Sequence, residues 1–209
     1  MFLCLDGVDG GGKTTQLELL KAWLRAEGHD VVSCRDPGTT PLGEELRKLV
    51  LNRHDLVIHR RAEMLVYMAA RAQLVEQVIR PALEAGRTVV SDRFLLANVV
   101  YQGHAGGLDV DSLWAVGQVA VGGLEPDLVC VLDLPAEVAA ARMTRTLDRM
   151  EAQGLEFQRR VRAGFLAEAS RRPERIAVID ATQTPEQVHG DIVAAIRRGV
   201  RLPACPERE

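Results

Sequence analysis

The 209-residue sequence has no apolar run of the roughly 18 residues that a membrane span requires, so no membrane-embedded segment is expected. It has no CxxC pair. Cys4, Cys34, Cys130 and Cys205 are scattered, and three of them sit in apolar strand-like runs, which suits buried thiols in a reducing compartment better than bridges or metal ligands. Positive charge is not in surplus: 26 Lys and Arg face 29 Asp and Glu, a formal net charge of -3, which gives no whole-chain attraction to nucleic acid or anionic lipid. There is no Pro/Gly/Ser-rich linker and no internal repeat, so a single domain over 1–199 is the expectation. The chain enters "FLCLDG" without a basic n-region or a small-residue cleavage site, and a cytoplasmic location is expected on that ground. Residues 200–209, with Pro203 and Pro206 amid mixed charge, read as a flexible tail.

What the sequence does have is an alternation of short apolar runs with helical stretches. The runs are Phe2–Leu5, Val31–Cys34, Thr88–Ser91, Leu128–Leu134 and Ile176–Ile179. Strands separated by helices predict an α/β fold with a five-stranded parallel sheet covered by helices on both faces, because parallel strands need crossovers. Pro41 starts a helix that places Leu42, Leu46, Leu49 and Val50 on one face. A longer helix runs from about Arg60 towards Pro81, which ends or kinks it before Gly86. Further helices are expected over Asp111–Val121, Leu155–Ser170 and Thr184–Arg198.

Between the first run and the first helix lies "GVDGGGKT". Gly7, Gly12, Lys13 and Thr14 fit G-x-x-x-x-G-K-[ST], with a strand before and a helix after. Glycines let successive N–H groups converge on a phosphate, the helix N-terminus adds partial positive charge, Lys13 reaches the β/γ-phosphates and the Thr14 hydroxyl ligates Mg²⁺. Such loops serve GTPases, motor ATPases and small-molecule kinases alike, so the loop alone names no reaction.

Two other places narrow the choice. Asp92 and Arg93 follow the third run, and Asp133 ends the fourth; in a parallel sheet the carboxyl ends of strands share one ligand crevice, so Asp92 is a candidate for the Mg²⁺ shell and Arg93 for a second phosphate. In "RMTRTLDRME" the arginines Arg142, Arg145 and Arg149 recur near helical spacing in a stretch poor in apolar residues. That composition suits a mobile lid over phosphates, spanning about 142–153, better than a core face. The glycine loop carries no arginine, so an arginine acting on the transition state is expected from this lid.

Together these pieces resemble the thymidylate kinase family, P-loop nucleoside monophosphate kinases. The similarity runs from "LDGVDGGGKTTQ" through "RDPGTTPLGEELR", "AARAQLVEQVIRPAL", "DRFLLANVVYQG" and "DRMEAQGLEFQRRVRAGF" to "VIDATQTPEQV". The resemblance implies transfer of the ATP γ-phosphate to dTMP, giving dTDP and ADP in dTTP biosynthesis, by a homodimer that uses Mg²⁺. It implies an ATP site at Gly7, Val8, Asp9, Gly10, Gly11, Gly12, Lys13, Thr14, Thr15 and Arg142, with Ala181, Thr182 and Gln183 beside the adenine. It implies a dTMP site in which Asp9 and Arg93 meet the 5′-phosphate, with Arg35 and Asp36 next to phosphate and deoxyribose. The resemblance further implies that Tyr67 stacks on thymine, that Arg71 bonds its O4, that Arg47 and Gln102 are further base contacts, and that Asn98 and Tyr101 line the sugar side. Tyr67 and Arg71 are four residues apart, one face of one helix, which suits a ring beside a guanidinium. The catalytic set implied is Lys13, Asp9, Asp92, Arg93 and the lid arginines Arg142, Arg145 and Arg149, with Thr14 and Asp92 as metal ligands.

The sequence departs from the family pattern at Asp6 and Asp36, where glutamate is usual, at Thr39 for glycine, at Ala97 for serine and at Val100 for alanine. The shorter Asp36 is expected to make its contact through water or a small backbone shift. Two other readings stand beside this one: another nucleoside monophosphate kinase on the same scaffold, and a catalytically silent nucleotide-binding protein. Helices near Met64–Val78 and Asp111–Val121, with Trp114, Val116 and Val119, carry more apolar residues than one buried face requires.

Overall fold

A computed structural model describes residues 1–53, 55–143 and 148–200. In chain order the elements are β1 (Phe2–Gly7), α1 (Lys13–Ala26), β2 (Val31–Arg35), α2 (Pro41–Asn52), α3 (Arg60–Leu74), α4 (Arg80–Glu84), β3 (Thr88–Asp92), α5 (Leu95–Asn98), α6 (Val110–Val121), β4 (Leu128–Asp133), α7 (Ala136–Arg142), α8 (Leu155–Arg171), β5 (Ile176–Asp180) and α9 (Pro185–Gly199). The strands form one parallel sheet in the order β2-β3-β1-β4-β5. Each expected strand is present, extended at its C-terminal end in every case but β4, which stops at Asp133.

The central strands are apolar on both faces. Phe2, Leu3, Cys4 and Leu5 of β1 and Val129, Cys130, Val131 and Leu132 of β4 are all buried, which is why they read as continuous runs rather than alternating ones. Burial of each large apolar side chain contributes about 1.5–3 kcal/mol, so this sheet is the rigid floor from which the connecting loops rise. Cys4, Cys34 and Cys130 are free, buried thiols, and Cys205 lies outside the described residues together with the rest of 201–209.

Helix α1 presents Gln16, Leu20 and Leu24 to the interior at four-residue spacing, and the Gln16 amide donates to the Pro185 carbonyl at 2.8 Å, tying α1 to α9. The long helical stretch after Arg60 differs from expectation in its detail. It passes through a π-helical turn, Val75–Ile79, into α4, with Pro81 in the first turn of α4, and stops at Glu84 before Gly86. Pro81 cannot donate to the helical ladder, and the wider π turn shifts the bonding pattern where that donor is missing. In α2 the buried residues are Gly43, Val50 and Leu51, whereas Leu42, expected on the inward face, is 49% exposed. The segment after β3 was not foreseen as helical: α5 continues into a second π-helical turn, Val99–His104. Its "LLANVV" run is too short for apolar content alone to separate helix from strand.

Candidate active site

The turn after β1 requires glycine. Gly7 has φ +125°, and a Cβ there would lie 2.5 Å from the Leu132 carbonyl oxygen of the neighbouring β4. The loop ends at Gly12, itself at φ +87°, and α1 begins without any side-chain cap. The first N–H groups of α1 therefore face outward with the positive end of the helix dipole behind them. Lys13 is buried and folds over the loop, its ammonium donating to the carbonyls of Val8 at 2.7 Å and Gly7 at 3.2 Å, with Asp9 at 3.8 Å. Burial and the neighbouring Arg93 push the Lys13 ammonium below its ordinary pKa, while Asp9 pulls it back.

Parallel pairing sets the second part of the site beside the first. Leu5 of β1 is in register with Asp92 of β3, so Asp92 and Arg93 emerge next to the glycine loop, as expected from the strand ends. Arg93 adopts φ +66°, uncommon outside glycine, and its guanidinium holds the geometry in place. It donates to Asp6 at 3.0 Å, to the Gly7 carbonyl at 2.9 Å, to Asp9 at 2.6 Å and to the Tyr101 hydroxyl at 3.1 Å, while Tyr101 donates to the other Asp9 oxygen at 2.8 Å. Burial alone would raise Asp9, but Arg93, Lys13 and the Tyr101 hydroxyl hold its carboxyl well below the usual range. The reverse balance holds at Asp6, which is fully buried: desolvation pushes its carboxyl up to about 6 against the pull of Arg93 and Lys13.

Two cavities meet at this cluster. An outer cleft of about 520 Å³ is lined by Asp9, Gly10, Gly12, Lys13, Thr14, Asp92, Arg93 and Arg142, among others. An inner pocket is lined by Asp36, Arg47, Tyr67, Arg71, Ala97, Asn98, Tyr101 and Gln102, with Leu51, Asp148 and Met150. Asp9, Asp36, Arg47, Arg93 and Asp148 border both. Tyr67 and Arg71 do share one face of α3, as their spacing predicts, and both are buried.

The inner pocket is organised by a buried polar chain. Asp36 receives the Arg71 Nε at 2.5 Å, Arg71 Nη1 donates to Asn98 Oδ1 at 3.1 Å, Asn98 Nδ2 to Gln102 Oε1 at 2.6 Å, and Gln102 Nε2 to Glu63 Oε1 at 2.9 Å. The Arg149 guanidinium closes the chain on the other Glu63 oxygen. This grouping puts Asn98 with Arg71 and Gln102, and Tyr101 with Asp9 and Arg93. Asp36 makes a direct ion pair with Arg71, whereas the contact expected of it, through water or a small backbone shift, is with an acceptor nucleotide. Burial pushes the Asp36 carboxyl up, and Arg71 opposes that push.

The lid arginines do not act as one face. Arg142 ends α7, lines the outer cleft and approaches the Ala181 carbonyl at 3.4 Å. Arg149 is turned the other way, donating to the Val50 carbonyl at 2.8 Å and pairing with Glu63, and the buried Met150 beside it forms part of the inner pocket wall. In this structure Arg149, expected on the ATP side, bonds to α2 and α3 and is not among the residues that line the outer cleft. Arg145 lies outside the described residues. Thr15 is exposed in the first turn of α1. Ala181 is buried, while Thr182 and Gln183 spend their side chains on Asp180 and Asp191. Arg35 pairs with Glu44 at 2.9 Å on the rim of the outer cleft, and Arg47 donates to the Pro37 carbonyl at 2.9 Å.

Glu63 was missed in the sequence, although a signal existed: Glu63, Tyr67 and Arg71 follow one another at four-residue spacing on α3. Asp148 and Met150 were likewise missed as pocket walls. Thr39 shows why a glycine belongs at its position. It sits at φ +70°, held by the Arg35 amide, which donates to its hydroxyl at 2.8 Å, and by its own amide donating to Glu44 at 2.7 Å.

As for a divalent cation, the buried Asp92 Oδ1 has no hydrogen-bond partner and Asp92 and Thr14 line the same cleft, which fits a hard cation. Among the described residues no group of three or more His, Cys, Asp or Glu could form a protein cage for one, so such a cation would be shared with an oxygen-rich ligand.

Comparison with known proteins agrees with this geometry. The family model for thymidylate kinase matches residues 5–192. A thymidylate kinase of Rhodopirellula baltica is 47% identical over 194 residues, covering 93% of this chain and 78% of its own length. One from Nitratidesulfovibrio vulgaris is 44% identical over 215 residues, covering 99% of this chain and 100% of its own. The crystal structure of thymidylate kinase from Ehrlichia chaffeensis matches with a TM-score of 0.79 at 28% identity, over 94% of this chain and 98% of that one. A P-loop sheet whose two cavities meet at Asp9 and Arg93, matched by relatives over nearly the whole chain, leaves one conclusion: the protein belongs to the thymidylate kinase family.

Proposed function

We propose that the protein transfers the γ-phosphoryl group of ATP to the 5′-phosphate of dTMP, giving ADP and dTDP, by in-line displacement without a covalent enzyme intermediate. The observation that supports this reading is the meeting of the outer cleft and the inner pocket at Asp9 and Arg93, which suits a donor in the cleft and an acceptor in the pocket. Lys13 and the α1 N-terminus hold the donor phosphates, and Arg93 receives the acceptor phosphate. Asp9, kept ionised by its neighbours, holds Arg93 in line between the two. Mg²⁺, held by Thr14 and Asp92, would neutralise charge on the donor phosphates. Arg142 is the lid arginine best placed for the donor side, since it lines the outer cleft, and its contact with Ala181 supports an adenine site near Ala181, Thr182 and Gln183.

Within the inner pocket Tyr67 supplies a ring face, and Arg71, Asn98 and Gln102 supply hydrogen-bonding groups. Arg47, Tyr101, Arg35 and Asp36 complete the acceptor walls, and the buried Met150 excludes water that would otherwise compete as acceptor. A homodimer is supported by Leu65 on α3, 50% exposed, and Val119 on α6, 84% exposed, two apolar side chains on helices that pack together. A cytoplasmic site of action is supported by the three free thiols and by the finding that, among the described residues, no helix is long and apolar enough to cross a membrane.

The test is ADP formation from ATP and Mg²⁺ with dTMP, dUMP, thymidine, dCMP, dGMP or no acceptor. Turnover that depends on dTMP is the expected result. Turnover with thymidine but not dTMP, or equal turnover without any acceptor, would overturn the reading.

A further inference from the structure

The polar chain behind the inner pocket has a fixed direction, and a residue outside the pocket lining sets it. Arg71 can only donate, so Asn98 must turn its oxygen to Arg71 and its amide nitrogen to Gln102. At the other end an ionised Glu63 can only accept, so Gln102 must turn its nitrogen to Glu63 and its oxygen to Asn98. Both amides are thereby oriented from two sides, with Asp36, Arg71, Asn98, Gln102 and Glu63 all at most 3% exposed. Glu63 also fixes Arg149, whose amide and side chain bond the carbonyls of Leu51 and Val50 and so seat Met150 against the pocket. Two carboxylates and two guanidiniums alternate along the chain, so its formal charge cancels.

We propose that Glu63 is the positioning residue for pyrimidine selection: by pinning the Gln102 amide and Arg149, it fixes the orientation of the Gln102 and Asn98 amides in the pocket wall, so that the second N–H of each amide, which no bond within the chain uses, is the donor offered to C4 of the base. The proposal rests on the inner pocket being the acceptor site. A C4 carbonyl accepts from such donors. A C4 amine presents its own N–H groups to them and leaves buried donors without acceptors, the arrangement by which polar sites reject analogues most strongly.

Glu63→Gln is nearly isosteric but has a single acceptor oxygen for two donors, Gln102 on one side and Arg149 on the other. One of the two must let go, and the pocket wall loses its fixed polarity. Steady-state rates are measured for wild type and E63Q with dTMP, dUMP and dCMP at saturating ATP, and with ATP varied at saturating dTMP. The expected result is that kcat/KM for dTMP falls about 10–100-fold, mainly through KM, the scale of a lost charge-assisted hydrogen bond. The dTMP-to-dCMP ratio of kcat/KM is expected to fall at least tenfold, about 1.4 kcal/mol, with the KM for ATP unchanged within about twofold. E63D is expected to recover part of the ratio.

If E63Q does not fold, the double variant Glu63→Leu with Arg149→Met removes the buried pair as a unit, which costs a fold far less than stranding one partner. Its acceptor ratio divides out any rate loss common to both nucleotides and is expected to fall by the same factor. A folded E63Q or double variant that keeps the wild-type dTMP-to-dCMP ratio would overturn the role of Glu63 alone. A wild-type enzyme with no preference for dTMP over dCMP would instead overturn both the acceptor reading and the proposal.

Discussion

Replacing Arg71 by alanine tests how the acceptor pocket is built. The Arg71 side chain is 2% exposed and that of its partner Asp36 is fully buried, with 2.5 Å between Nε and Oδ2. The remaining Asp36 oxygen, Oδ1, already has no hydrogen-bond partner, so removal of the guanidinium strands the whole carboxylate. Breaking a buried pair in this way costs about 3–5 kcal/mol, well above the yield of a surface bridge. For a domain of this size that is a fall in Tm of about 6–20 °C, measured by calorimetry near neutral pH. The loss should also depend on pH. Burial raises the Asp36 carboxyl, and without Arg71 only the more distant Arg47 opposes that rise, so the variant is relatively most stable when Asp36 is protonated and loses that stability as pH rises through its folded pKa. A second variant, Asp36→Leu with Arg71→Met, removes both charges and is expected to recover most of the lost stability. A folded Arg71→Ala protein within about 1 kcal/mol of wild type would refute the reasoning, because it would mean that the pair makes no net contribution. Kinetic loss in Arg71→Ala is therefore read only well below its Tm, where a lost base contact is separable from a loosened pocket.

Lys13→Ala is expected to lower kcat by roughly 10²–10³-fold in a protein that still folds, the scale for removing a donor aimed at developing charge; near wild-type turnover would remove Lys13 from the mechanism. At Thr39, φ +70° strains any residue with a Cβ, so Thr39→Gly should be about 1 kcal/mol more stable than Thr39→Ala in urea melts, and equal stabilities would show that the strain is absent. Asp9 is held below its ordinary pKa, so the stability it gives is complete above about pH 4 and fades as pH falls through its folded value. Asp9→Asn should accordingly flatten the acid limb of stability between about pH 5 and 2, and an unchanged acid limb would show that Arg93 and Lys13 do not stabilise the carboxylate.

The parts of this protein that were legible in its sequence are those placed by the backbone. The strands of a sheet buried on both faces read as unbroken apolar runs; Gly7, Asp92 and Arg93 lie at the ends of paired strands, and Lys13 opens the helix that follows the glycine loop. Tyr67 and Arg71 were legible for the same reason, since helix geometry fixes their common face. What was not legible depends on partners across elements. Arg142 and Arg149 look equivalent in a run of arginines, yet one meets Ala181 and the other meets Glu63, and no local spacing distinguishes them. Glu63 on a helix reads as a solvated charge until Gln102 from the turn after α5 and Arg149 from the lid close over it.

The departure at Asp36 follows the same logic and carries it furthest. Judged alone, an aspartate where glutamate is usual is one methylene too short, and a bridging water is the natural remedy. Judged with Arg71, the short side chain meets its partner directly, and lengthening it inside a fully buried contact would force one of the two to move. Asp36→Glu, the change toward the family pattern, should therefore destabilise this protein by about 1–3 kcal/mol unless Arg71 is released toward the pocket. The two outcomes separate in a dTMP titration of the variant: an unchanged KM with a lower Tm means overpacking, whereas a changed KM with an unchanged Tm means that Arg71 has moved to the base.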